Sequence, residues 1–423
     1  MSQSFKFPKW IKLLVCLSFL FGGCQPTLSV EKGQEYFQPI SSLSIPEYVS
    51  IVGLGEATHG NAEFVQIRLD VLKELVQKYD YRTIAIEGDF GGSQVVNEYV
   101  LNGTGTAAEA VRQIGFAIYK TQEMVDLVEW IYQYNQSAAQ DEKIHFYGFD
   151  MQRYDHNIDG LLAFIERVDA DKADAYRTAL ADLNDETVFN QSREKIQGGL
   201  KAIETILAEM EQGKEAYIAE TSQAEFDLAY QFATCIQENA TLRGTDVSYT
   251  EARDRYMAEK VAWIVSFEQS QGREKILLTG HDGHIEKSAA AAMYRSMGSR
   301  LQETFAEKYF AIGTDFYEST FNCKESGSGE RKQFSVKNGN KLNTAFRNSG
   351  MDIAYLDIQK ALEDPSLSKI LTSSLWMSNI GDEFSGLYRF VKFFYALKMV
   401  PADAYDAIIF VRSATPTTML ADE

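Results

Sequence analysis

A chain of 423 residues with 45% apolar and 24% charged residues can build a large core, and its composition excludes disordered, collagen-like and multi-span membrane proteins. Its formal net charge of −19 repels nucleic acid and anionic lipid, so no nucleic-acid partner is expected. The length fits one large α/β domain carrying an insertion.

At the N-terminus Lys6, Lys9 and Lys12 precede an apolar run, Leu13 to Phe21, that ends in Gly22-Gly23-Cys24. The run is too short to span a bilayer comfortably and has the layout of a secretory signal. Leu20-Phe21-Gly22-Gly23-Cys24 resembles a bacterial lipobox, which makes residues 1–24 a signal segment and Cys24 the expected lipidated residue. The alternative is an ordinary signal peptide in which Cys24 is incidental. Cleavage removes three lysines and no acid, so attachment would be by lipid rather than by a basic surface. The expected location is the cell envelope, outside the cytoplasm, on a lipid anchor in a bacterial membrane. Residues 25–45, with Pro26, Pro39 and several serines, read as a tether, and 46–423 as the folded domain.

No proline falls between Pro46 and Pro365, a stretch that can hold uninterrupted helices. Five β-rich runs punctuate the chain: Ile51 to Glu56, Thr83 to Asp89, Lys143 to Asp150, Lys275 to His281 and Phe310 to Asp315. Helical spacing lies between several of them, as with Val65, Leu69, Leu72 and Val76. Alternation of this kind predicts an α/β fold with a mainly parallel central sheet flanked by helices. Residues 155–268 are helical in pattern almost throughout, through Leu161, Ile165 and Val168, then Leu200, Ile203, Leu207 and Met210. They form a large helical insertion that either covers the site or adds packing. Asp406 to Val411 reads as a last buried strand, and Cys235 and Cys323 as two separate buried thiols.

In a parallel sheet ligands sit beyond the carboxyl ends of the strands. That rule collects Glu56, His59, Glu87, Asp150, His281 and His284 into one candidate site. Histidine suits proton transfer because its free pKa, about 6.5, lies near working pH. No Gly-x-Ser-x-Gly elbow and no cysteine nucleophile is present, which leaves water as the attacking group, deprotonated by His59 with Glu56 or Glu87 holding the ring. Arg68 lies about two helical turns beyond His59 and would reach back to meet developing negative charge. His281 and His284, three residues apart in a glycine-rich loop, either donate hydrogen bonds to an oxyanion or join His59 and Glu87 as ligands of a divalent metal. His145 reads as a core residue, and His156 as outside the site.

The ordered motifs Gly55-Glu-Ala-Thr-His-Gly60, Glu63-Phe64 with Arg68, Ile84-Ala-Ile-Glu87, Trp130 with Tyr134-Asn135 and Tyr147-Gly-Phe-Asp150 resemble the erythromycin esterase family. Arg253-Asp254-Arg255 before Met257-Ala258-Glu259, the His281-x-x-His284 loop, Met297-Gly298 and Tyr405-Asp406 continue the resemblance, over about residues 45–415. It implies an α/β scaffold with a helical excursion and hydrolysis of a lactone ester, as of macrolide antibiotics. Carried over by position, His59 matches the base that activates water, Glu56 and Glu87 its carboxylate companions, and Arg68, His281 and His284 the other active-site residues. Hydrolysis by His59-activated water requires no cofactor, and the resemblance does not settle whether a divalent metal takes part. Asp282 stands where the family has asparagine, Lys260 where asparagine follows Met-Ala-Glu, and Phe116-Ala-Ile-Tyr119 replaces a tryptophan-rich stretch at the substrate cleft. Asp282 is expected to raise the pKa of the adjacent imidazoles. The expected activity is a carboxylic-ester hydrolase acting on a small-molecule ester or lactone. The alternatives are a metal-dependent hydrolase of another ester or amide, and a non-catalytic lipoprotein that binds a small molecule.

Overall fold

A computed structural model describes residues 34–289 and 294–421; the signal segment, Cys24 and residues 25–33 lie outside the described residues. The β-rich runs become strands β1 Ile51–Glu56, β2 Thr83–Asp89, β3 His145–Asp150, β4 Ile276–His281 and β5 Tyr309–Glu325. Further along come β6 Arg331–Lys337, β7 Ile353–Asp357, β8 Leu375–Ser378, β9 Glu383–Phe384, β10 Ala396–Met399 and β11 Ala407–Ala414. The main sheet runs β3-β2-β4-β1-β5-β11-β7, parallel from β3 to β11 and closed at one edge by antiparallel β7.

Successive side chains of a strand face opposite sides, and this sorts the core into two layers. Ile276 and Leu278 of β4 pack on one face with the insertion helices, whereas Leu277 joins the other face. Helices α1 Ala62–Tyr79, α2 Phe90–Asn102, α3 Ala107–Arg112 and α4 Gln122–Ser137 connect the first three strands. α1 presents Phe64, Ile67, Val71, Leu72 and Leu75 to the second layer and stops at Asp80, whose φ of 62° cannot continue a helix. Asp89 caps α2 by accepting from the Gly92 N–H, and Thr121 caps α4 through the Met124 N–H.

The expected insertion is present between β3 and β4 as α5 Asp155–Val168, α6 Ala170–Leu180, α7 Arg193–Glu220, α8 Gln223–Gly244 and α9 Tyr249–Ser270. Leu161, Ile203, Met210 and Ile236 are buried together with sheet residues such as Tyr147 and Phe149. The insertion is thus an extension of one core layer. Its return path places β4 between β1 and β2, in register Glu56 with His281 and Ile86 with Thr279.

Two expectations change. The segment read as a tether packs on the domain from Gln34 onward: Phe37 stacks edge-on against Phe410 and at a tilt against Phe346, and Gln38 exchanges backbone hydrogen bonds with Tyr355. Strand β5 is far longer than Phe310 to Asp315, because alternating Ser319, Phe321 and Cys323 remain buried and pair its second half with β6. Cys235 and Cys323 are both buried and free, as read.

The turn after β1 is held against β5 by backbone contact: Gly60 O accepts from the N–H groups of Asn322 and Thr417. A Cβ on Gly60 would lie 2.0 Å from the Asn322 carbonyl oxygen and 2.8 Å from its nitrogen, fixed backbone atoms that cannot turn aside. Gly60→Ala is expected to destabilise the fold by about 1–3 kcal/mol or more, the usual cost of overpacking, read from the urea midpoint.

Candidate active site

Glu56 ends β1, and the turn that follows brings the His59 ring back over it, with Nδ1 2.7 Å from Glu56 Oε1. The turn is pinned at Ala57, whose N–H donates to Thr314 Oγ1 and whose carbonyl accepts from the Ile380 N–H. The second oxygen of Glu56 accepts from Arg68 Nη2 at 3.0 Å. Arg68 is buried beneath the turn, its Nη1 against Met124 Sδ and its guanidinium over the Tyr119 ring. It therefore does not reach out to meet substrate charge; it holds Glu56.

Burial pushes the Glu56 carboxyl up, but Arg68 and then the His59 bond outweigh it, so its pKa falls below the ordinary 4.5 and it is ionised at neutral pH. Burial likewise pushes His59 down, and the Glu56 bond together with the charges of Glu56 and Glu87 overturns that, raising its pKa above 6.5. With an ionised acceptor at Nδ1, the neutral ring carries its proton there and leaves the Nε2 lone pair free.

Glu87, near the tip of β2, does not hold His59. Its Oε2 accepts from the His281 N–H at 2.8 Å and its Oε1 from Arg253 Nη2 at 2.8 Å. The same guanidinium grips Asp150 at the tip of β3, Nη2 to Oδ2 at 2.6 Å, and its Nη1 lies 3.2 Å from His284 Nε2. His284 is lodged between two acids, with Nδ1 2.9 Å from Asp254 Oδ1 and Nε2 3.4 Å from Glu87 Oε1. Burial disfavours its charge, yet Glu87 and Asp254 raise its pKa to about 10. Conversely, His284 and Arg253 overcome burial and hold Glu87 well below 4.5.

His281 differs from its two neighbours. Its ring lies 4.9 Å from that of His59, centroid to centroid, and its Nε2 is buried with no hydrogen-bond partner among the described residues. Burial, reinforced by charge on His59, pushes its pKa down to about 3, so it is neutral at working pH. Asp282 has no part in raising it. Its side chain turns away to Thr314, with Oδ1 accepting from the backbone N–H at 3.1 Å, and burial pushes its carboxyl well above 3.8. A neutral carboxyl has the shape and the donor and acceptor of an asparagine amide, the residue expected at this position. Gly55 makes room for it, because a Cβ there would lie 1.8 Å from Asp282 Oδ1.

His59, Glu87, Asp150, Arg253, His281 and His284 all line one cavity of about 600 Å³, whereas Glu56 and Arg68 stand behind it. Phe116, Ala117 and Ile118 form part of its wall, as expected of that stretch; Tyr119 is buried and its hydroxyl donates to the Glu87 carbonyl. The insertion supplies Phe189 and Arg253 to the wall, so it borders the site as well as packing. Lys260 is absent from the lining: it is buried over the Phe90 ring with its Nζ 3.0 Å from Glu238 Oε2. His145 and His156 also lie outside the cavity lining.

Arg253 and Asp254 were visible in sequence only as part of a motif, without a role. The signal was their position: Asp254 falls on the same face of α9 as buried Met257, Val261 and Val265, and a charge on an apolar stripe needs a buried partner. As to a metal, no three His, Cys, Asp or Glu side chains gather as a ligand set among the described residues. Glu87 is taken up by Arg253 and a backbone N–H, and the Nδ1 atoms of His59 and His284 face carboxylates.

A family model described as Erythromycin esterase matches residues 76–414. The match begins within α1, so the Glu56–His59 turn and Arg68 lie upstream of it. Erythromycin esterase type II of Escherichia coli is 25% identical over 296 residues, covering 63% of this chain and 69% of the relative. Among solved structures, a Bacillus cereus protein superposes with a TM-score of 0.78 at 22% identity, covering 93% of this chain and 100% of that one. An erythromycin esterase mutant in its open conformation superposes with a TM-score of 0.66 at 19% identity, covering 89% and 93%.

Removing Arg68 would leave Glu56 buried without the largest of its charge supports. Arg68→Gln is expected to lose about 3–5 kcal/mol of stability at pH 7. Because the folded-state pKa of Glu56 is depressed, its contribution is present above the unfolded carboxyl pKa, about 4.3, and disappears as pH falls through the lower folded value. Denaturant unfolding of parent and variant should therefore differ most at neutral pH and converge in acid.

Proposed function

This chain belongs to the erythromycin esterase family, and we propose that it hydrolyses a carboxylic ester or lactone of a small molecule with water activated by His59. The observation that carries this reading is the 2.7 Å contact of His59 Nδ1 with an ionised Glu56, on a ring that lines the cavity. That arrangement fixes the tautomer with a basic Nε2 toward substrate and stabilises the imidazolium formed when the base takes a proton.

In the reaction the water oxygen bonds to the carbonyl carbon while His59 Nε2 accepts the water proton. The carbonyl electron pair moves onto oxygen, giving a tetrahedral oxyanion. Positive charge on Arg253 and His284, and an N–H of neutral His281, offset the charge that develops there. Collapse breaks the bond to the alkoxy oxygen, which takes the proton back from His59. The products are a carboxylic acid and an alcohol, or one hydroxy acid when the substrate is a lactone. The similarity to the Escherichia coli esterase makes a macrolide lactone one candidate. The charged, apolar and cysteine-terminated segment of residues 1–24 supports work at the cell envelope on a lipid anchor.

A base must be neutral to act, and the raised pKa of His59 moves the acid limb of kcat/KM above pH 6.5. In Glu56→Gln the charged acceptor and its field, the larger causes of that rise, are gone while burial remains, so the limb should move to lower pH while kcat falls by about 10²–10⁴-fold. His59→Ala should lose activity on the same scale at every pH. Rate profiles of the purified proteins on a panel of esters and lactones, with products read by mass, check both; full activity in His59→Ala would remove the assignment.

A further inference from the structure

We propose that the substrate of this cavity carries an anionic group, a carboxylate or a phosphate, held by Arg153 and Lys324 on the cavity wall. The inference rests on reading the cavity as the ester-binding site, adds the chemical class of what it takes, and ranks an anionic ester above a macrolide lactone without a carboxylate or phosphate.

The argument is one of pairing. Three carboxylates line the cavity, Glu87, Asp150 and Asp382. Each is already matched: Glu87 and Asp150 by Arg253, and Asp382 by Arg331, which meets both of its oxygens at 2.6 and 2.8 Å. His284 has Asp254 behind it as well as Glu87. Arg153 and Lys324 remain, and neither forms an ion pair with a carboxylate among the described residues. A chain with 60 acids and 41 bases has no shortage of carboxylates to put there. Its cavity nonetheless keeps two cations without one.

Arg153 is also built into place. Its Nε donates to the Gly115 carbonyl at 2.9 Å, its guanidinium carbon sits 5.6 Å from the Phe116 ring centroid and 5.2 Å from that of Phe189, and both rings line the same cavity. Asp185, the acid whose field it feels, accepts from the Tyr154 N–H and lies beyond ion-pair distance. Neither Nη atom of Arg153 donates to a protein group among the described residues. A planar cation set against two rings and anchored at Nε, with both Nη groups unused, matches a carboxylate or phosphate with little entropy left to lose. Lys324, exposed on β5, adds a second charge to the cavity lining.

The test uses the full chain in detergent and a matched pair, 4-acetoxybenzoate and its neutral counterpart 4-acetoxybenzamide. The parent should favour the anion in kcat/KM by about tenfold, the yield of one charge-assisted contact, with the preference carried by KM and shrinking as salt is added. Arg153→Gln should bring the two compounds level. Should that variant fail to fold, Lys324→Gln on the exposed strand and the salt titration make the same measurement, each reducing the preference. Equal or better turnover of the amide by the parent overturns the proposal and leaves the hydrolase reading standing. Turnover of neither counts against the hydrolase reading instead, and calorimetric titration with the same two compounds then decides the anion site. Tighter binding of the benzoate that is lost in Arg153→Gln supports it, and equal binding overturns it.

Discussion

A carboxylate cannot stay charged in a protein interior without a partner, and this constraint arranges everything at the carboxyl ends of the strands. Glu56, Glu87, Asp150 and Asp254 are all buried, and each meets a cation or an imidazole. Asp89, Asp282 and Asp315 are equally buried but meet only neutral donors, among them the Gly92 N–H, the Thr314 N–H and the Asn343 amide. The two sets diverge accordingly. Glu87 is held well below the ordinary carboxylate range, whereas burial pushes Asp89 up to about 8 and Asp315 to about 6. Glu87 and Asp150 of the first set line the cavity with Glu56 and Asp254 behind them, whereas the second set ties strands and loops together outside the lining.

Three histidines within one constellation consequently do different work. His59 has one ionised acid at Nδ1, which orients it and raises its pKa while leaving Nε2 to exchange a proton. His284 has an acid at each nitrogen and stays charged. His281 has none, and burial keeps it neutral. A base, a fixed cation and a neutral donor thus arise from one side-chain type by the number of carboxylates each touches. The sheet order makes this possible, since only with β4 lodged between β1 and β2 does His281 stand between the acids of both neighbours.

Much of this was legible in the sequence where a local rule sufficed. Strands β1 to β4 and the strand-end positions of Glu56, Glu87, Asp150 and His281 follow from apolar runs that terminate in polar residues. What was not legible depended on distance in the fold. Nothing in spacing tells whether Glu56 or Glu87 holds His59; the direction of the turn after Ala57 decides it, and that is set by Thr314 some 257 residues away. The sequence of α1 alone points Arg68 toward substrate, whereas Met124 and Tyr119 from later elements cover it. The role of Asp282 changed for the same reason: beside histidines in sequence, it points to Thr314 in space. Strands β7, β8 and β10 have only four or five residues, too little length for alternation to register, and β6, though seven residues long, is mostly exposed and lacks an apolar run.

Net charge and local charge part company in this molecule. At −19 the chain as a whole repels anions, and a small anionic ester approaching from far away would meet an unfavourable field. That field is screened within about a Debye length, roughly 8 Å at physiological salt, so at the cavity mouth only nearby charges count. There the acids are consumed by Arg253 and Arg331, and the surplus is positive. Two groups of cations divide the work: Arg153 and Lys324, left without acids, meet the substrate anion, while Arg253 and His284 offset the oxyanion that forms as water attacks. A cationic site in an acidic protein therefore separates solubility, carried by the outer surface, from recognition, carried by the few side chains left without partners inside.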